Sequence, residues 1–239
     1  MILPVAFVHG SAVSIVVFVA ICAAILIALV VAAKITAGSD KDSLRITLQL
    51  CVSLGVYCAA IAGILFTGLL ERAFIPFGPI FLLVTVSIAI GVGFTRLGTK
   101  ISSGISLAWL IGFQGFRLPL ELVLHDWFKS GTIPETMTWT GSNWDILTGV
   151  LACLLCTFVG KRHWLAWIFN GIGIILLVNV GRVAIMSSPI PFGWQVNPPL
   201  ELILYLPYVY IVPICVGGAA LGHVLLTRRL MDEWSRERP

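Results

Sequence analysis

The chain has 239 residues, of which 59% are apolar and only 11% charged, with a formal net charge of +4. A soluble globular domain carries about 25% charged residues, so a water-soluble fold is excluded. The basic residues are scattered without a stripe of interleaved aromatics, which excludes a nucleic-acid-binding surface.

The sequence therefore predicts an all-α fold: one polytopic membrane domain over residues 1–239, with seven spans in long apolar runs. The first covers 11–33. It is too long for a signal-peptide core and has no basic residue before it. A short charged segment, 34–45 (KITAGSDKDSLR), leads to the second span, 46–69. A break at Glu71-Arg72, followed by Pro76 and Gly78, precedes the third, 78–95. The polar stretch 96–100 (RLGTK) reads as a tight turn before the fourth, 101–124. After the long connection 125–144 come a fifth span at 145–160, the turn Lys161-Arg162-His163 and a sixth span at 164–186. The second long connection, 187–202, leads into the seventh span, 203–227, and a charged tail expected on the inner membrane surface.

Lys34, Lys41, Arg45, Arg96, Lys100, Lys161, Arg162, Arg228, Arg229, Arg236 and Arg238 fall on one side of this scheme, and only Arg72 and Lys129 on the other. The positive-inside rule puts the richer side in the cytoplasm, hence the N-terminus outside and the C-terminus inside a cell membrane. Trp127, Trp139, Trp144 and Trp194 on the outer loops suit an interfacial belt. Pro119, Pro207 and Pro213 are expected as kinks within spans 4 and 7. Gly218 and Gly222 form a G-x-x-x-G pair that favours close helix packing, with a homo-oligomer interface as the alternative.

The polar residues inside the apolar runs are the candidate site. Gln114, Arg117, Glu121 and His125 are spaced three, four and four apart, so they share one helical face. Asn143 and Asp145 open span 5, and Asn179 and Arg182 close span 6. In this topology all of them lie in the outer half of the membrane. A charge at mid-helix costs at least about 2.5–3.5 kcal/mol on insertion, so such residues are kept paired, hydrated or functional. The expectation is an ion-pair network of Arg117 and Arg182 with Glu121 and Asp145, holding a small polar or anionic ligand. The competing readings are an intrahelical Arg117–Glu121 pair, Arg182 snorkelling to headgroups, and Asp145 as a first-turn acid. His125 reads as interfacial and His223 as packed. The loop 129–144 reads either as a segment folded back over the outer mouth or as an interfacial one. The six cysteines sit in apolar runs as small hydrophobes, so neither a metal site nor a cofactor is expected.

The stretch from Phe116 to Gly149, FRLPLELVLHDWFKSGTIPETMTWTGSNWDILTG, resembles a segment of uncharacterised bacterial multi-pass membrane proteins, a likeness that brings no activity with it. A weaker similarity is to the exosortase/archaeosortase family of membrane transpeptidases. Asn179-Val180-Gly181-Arg182 matches that family's Asn-x-x-Arg motif, while Leu147 stands where its nucleophilic cysteine belongs. The resemblance implies a membrane-embedded enzyme acting on a lipid-linked or peptide substrate, as the alternative to ligand binding or transport. A structural subunit whose charges only lock helices is the third possibility.

Overall fold

The computed structural model describes residues 7–38, 40–72, 74–159 and 162–237, and among them every regular element is helical. Six helices are long and apolar enough to cross a membrane, which suggests a multi-pass membrane protein. Large apolar side chains such as Leu48, Val52, Val56, Leu83, Val84, Ile175 and Val178 face outward. A soluble monomer rarely exposes apolar patches beyond a few hundred Å².

Helix α1 (Ala12–Ile35) starts at Ser11, whose hydroxyl accepts from the Ser14 amide. Helix α2 (Asp40–Phe66) packs against it, and the short α3 (Leu69–Arg72) follows the left-handed Gly68. Helix α4 (Phe74–Phe94) has an extended residue, Ile75, near its start. Ile75 precedes Pro76, and a proline disfavours the α conformation of the residue before it.

The fourth expected span is shifted and divided. RLGTK is no turn: it opens helix α5 (Arg96–Gly104), capped by Thr95. Ser106 then caps helix α6 (Leu107–Phe113) by accepting from the Trp109 amide. The side-chain oxygen satisfies a free N–H at a helix start, so the new helix begins there rather than at Ile101. A 3₁₀ turn at Gln114–Phe116 joins α6 to α7 (Arg117–Lys129). Pro119, in the first turn of α7, has no N–H to give the Gly115 carbonyl, which accounts for the tightened turn.

Helix α8 (Ile146–Leu155) has only ten residues, about 15 Å at 1.5 Å per residue and half of a ~30 Å hydrocarbon core. It corrects the expected fifth span, 145–160. It still runs antiparallel to α6 and α7: a Cβ on Gly149 would meet Leu118, one on Gly115 would meet Cys153, and one on Gly112 would meet Cys156. The remaining depth is filled by the loop before it, in which Ile133, Met137, Thr138 and Asn143 are buried. Loop and helix together carry the chain back along α7 and α6. Of the two readings of this loop, the structure has the folded-back one.

Helix α9 (His163–Ser187) returns. The last span starts at Tyr208 rather than 203, leaving Pro207 before it. Pro213 lies in a π-helical stretch, Val212–Val216, that leads into α10 (Gly217–Glu237). The charged tail continues α10 instead of lying flat. Arg228 donates to the Gly93 carbonyl and to Thr99, Arg229 donates to the Ser103 carbonyl, and Glu233 pairs with Arg229 and His163. These contacts gather the ends of α4, α5, α9 and α10. At the opposite end Ser11 donates to Asp126, Trp127 to Ser14 and the Gly10 amide to the Tyr208 hydroxyl. Lys161 and Arg238 lie outside the described residues. Gly218 and Gly222 are used within the chain, against Ile25 and against Gln114 and Phe113.

Candidate functional site

The half-length of α8 makes the site. Because this helix starts inside the bundle, the residues before it, Asn143 and Asp145, stand level with the first turns of α7. Asp145 is the N-cap residue of α8, where the free N–H groups favour a negative charge. Its Oδ1 lies 3.0 Å from Arg117 Nη1 and accepts from the Thr148 hydroxyl at 3.3 Å. Asn143 donates to Glu121 Oε1 at 2.8 Å and to the Met137 carbonyl at 3.1 Å, while its own Oδ1 accepts from the Asp145 amide. Arg117 and Glu121 are each 1% exposed. The four residues are thus one buried polar cluster, and the Arg117–Glu121 pair within α7 is not what holds it. Arg117 pairs across to α8.

The cluster is incompletely satisfied. All three guanidinium nitrogens of Arg117 and Oε2 of Glu121 are buried without a hydrogen-bond partner, Nη1 making only the ion pair with Asp145. In a folded interior nearly all such atoms are paired, so each exception asks for an explanation. All four cluster residues line one cavity. Apart from Ser188, the rest of its wall is apolar and comes from α4 (Phe74, Leu82), α7 (Leu120, Leu124) and α9 (Leu177, Gly181). The loop residues Leu200 and Leu202 and the stretch 211–219 complete it. Helices α4 and α9 both line this space but do not pack extensively on each other. Toward the basic end, His223 Nδ1 pairs with Asn170 Oδ1 at 2.9 Å, and Asn170 donates to Thr227 at 2.7 Å.

Four of the expected site residues stand apart. Arg182 is exposed; it donates through Nε and Nη2 to Asn179 Oδ1 and lies over the Trp194 ring at 5.4 Å. The ion-pair network joining Arg182 to Asp145 and Glu121 is therefore corrected. A partner three residues away on its own helix, together with a nearby aromatic face, holds the guanidinium on the surface. Asn179 donates to the Ser142 carbonyl and so ties α9 to the folded-back loop. His125 stacks on Trp139 at 4.3 Å, away from the cavity. Gln114 is buried beneath the cluster and donates to the Ala219 carbonyl at 3.1 Å. Thr148, which the sequence reading overlooked, belongs to the site. Its one legible signal was a position three residues after Asp145, where a hydroxyl at one helical turn reaches a capping carboxylate.

A family model described as a domain of unknown function (DUF8737) matches residues 75–231, about two thirds of the chain and the whole of the cluster. The chain belongs to the DUF8737 family. No curated protein matches it, and no solved structure does. An uncharacterised family agrees with the likeness carried by Phe116–Gly149. Of the features behind the exosortase resemblance, Leu147 is exposed, and Cys153, also exposed, packs beside Gly115 on α6–α7. DUF8737 membership carries no activity, so function is argued from the cavity.

Proposed function

We propose that this protein is an integral membrane protein that binds a small amphiphilic ligand in the cavity between α4, α7, α9 and the 211–219 stretch. The observation that carries this reading is the set of buried, unpartnered polar atoms of Arg117 and Glu121 at one end of an otherwise apolar space. Pockets for small molecules are mostly apolar, with a few converging polar groups that fix orientation. The ligand's polar end reaches the cluster, and its apolar body lies along Leu120, Leu177 and Gly181. The positive-inside pattern puts the Lys129 end, and with it the cluster, in the outer half of the bilayer. Holding a ligand fits better than through-transport, because His223, Asn170 and Thr227 are hydrogen-bonded to one another toward the basic end. A second reading, an enzyme acting on a lipid-linked substrate at the same place, rests on the same cavity, with Glu121 as the acid–base group.

Gly181 supplies the test. It lines the cavity, and a Cβ there meets nothing within 4 Å. Gly181→Leu should fill the cavity while leaving the melting temperature unchanged or raised. Native mass spectra of the wild-type protein should show one small-molecule adduct per chain, absent from the variant. No adduct on the wild type, or one that persists in Gly181→Leu, counts against the reading.

A further inference from the structure

The charges of the cluster say what kind of group its ligand carries. One guanidinium, Arg117, stands with two carboxyl groups, Glu121 and Asp145, all at most 6% exposed. The other side chains facing them are uncharged: Asn143, Thr148 and, below, Gln114. His223 adds no positive charge, since Nδ1 lies on an amide oxygen and Nε2 is buried without any acceptor, whereas an imidazolium donates from both nitrogens. Cys215 contributes a thiol that faces Cys22. With Arg182 outside, the buried site holds one guanidinium against two carboxyl groups, a formal count one positive charge short of neutral when both carboxyls are ionised. An uncompensated charge in an apolar wall costs several kcal/mol.

Resting on the ligand-binding reading, we propose that the occupant is an amphiphilic amine, with a single ammonium that docks on Glu121 Oε2 and an apolar body in the cavity. An ammonium supplies the missing charge and also the donor that Oε2 lacks. A proton on Oε2 would supply the charge and make that oxygen a donor, but would leave the apolar cavity beside it unfilled. A carboxylate or phosphate would bring further negative charge to a site already in excess, so the anionic ligand expected from two arginines is disfavoured once Arg182 is removed from the site. The free Arg117 Nε and Nη2 groups then take a neutral oxygen, such as a hydroxyl or carbonyl next to the ammonium.

The experiment compares three probes of equal chain length, octylammonium, octanol and octanoate, on the purified full chain in lipid nanodiscs. Binding is read by ligand-observed NMR, with Gly181→Leu nanodiscs as the partition control. Octylammonium should bind at least about tenfold tighter than octanol, and octanoate weakest. Glu121→Gln should abolish the ammonium preference, with an unchanged melting temperature showing that the variant is folded. Equal binding of octylammonium and octanol, tighter binding of octanoate, or an ammonium preference that survives Glu121→Gln overturns the inference and leaves the ligand-binding reading standing. Failure of all three probes to bind above the Gly181→Leu control overturns both.

Discussion

Replacing Arg117 by Met removes the one buried cation while keeping most of the side chain's aliphatic reach. Asp145 then loses its 3.0 Å partner and keeps only the Thr148 hydroxyl and its place at the start of α8. At 3.0 Å and an effective dielectric near 20, the attraction forgone is about 5–6 kcal/mol, offset in part by the desolvation of a guanidinium that no longer has to be buried. Removing one partner of a buried pair costs about 3–5 kcal/mol in practice, and we expect Arg117→Met to fall in that range. For a chain of this size each kcal/mol is roughly 2–4 °C in melting temperature, so a fall of about 10 °C is the expected outcome. Adding Asp145→Asn should restore most of it, since the double variant carries the same net charge as the wild type and strands no carboxylate beside a missing partner. Melting can be followed with a fluorogenic thiol dye: Cys22 and Cys215 are buried and react on unfolding, while the exposed Cys51 and Cys153 set the baseline. A loss under about 1 kcal/mol in Arg117→Met, or a double variant as unstable as the single one, would refute the argument that the pair holds α8 to α7.

Two further outcomes follow from the packing and the charge pattern. Gly149→Ala should cost about 1–3 kcal/mol, because its Cβ would meet the Leu118 backbone where α8 crosses α7; a melting temperature equal to that of the wild type would show that the two helices are free to separate. In a cysteine-free background, a cysteine at Lys129 should react with a membrane-impermeant thiol reagent added to intact cells and one at Lys100 should not, the reverse pattern meaning an inverted chain.

The sequence by itself determined much of this protein. Continuous apolar runs can only be helices if they are to satisfy their backbone groups away from water, and α1, α2, α4 and α9 stand close to where those runs place them. The 3–4 spacing of Gln114, Arg117 and Glu121 put them on one face, and the structure buries all three. The asymmetry of Lys and Arg grouped the chain ends that the structure gathers around Arg228 and Arg229.

What the tertiary structure decided was the partner of each charge. Arg117 had carboxylates available at Glu121, four residues away, and at Asp145, twenty-eight residues away, and local spacing favoured the first. The second prevailed because α8 is too short to span and its preceding loop folds inward, which depends on contacts such as Asn179 with Ser142 and Thr136 with Ser187. Arg182 looked like a member of the cluster by depth alone, but the direction of its side chain was set by Asn179 and Trp194 on the surface. Periodicity tells which face a residue occupies. Which neighbour covers that face is a long-range matter, settled only when loop and helix pack together.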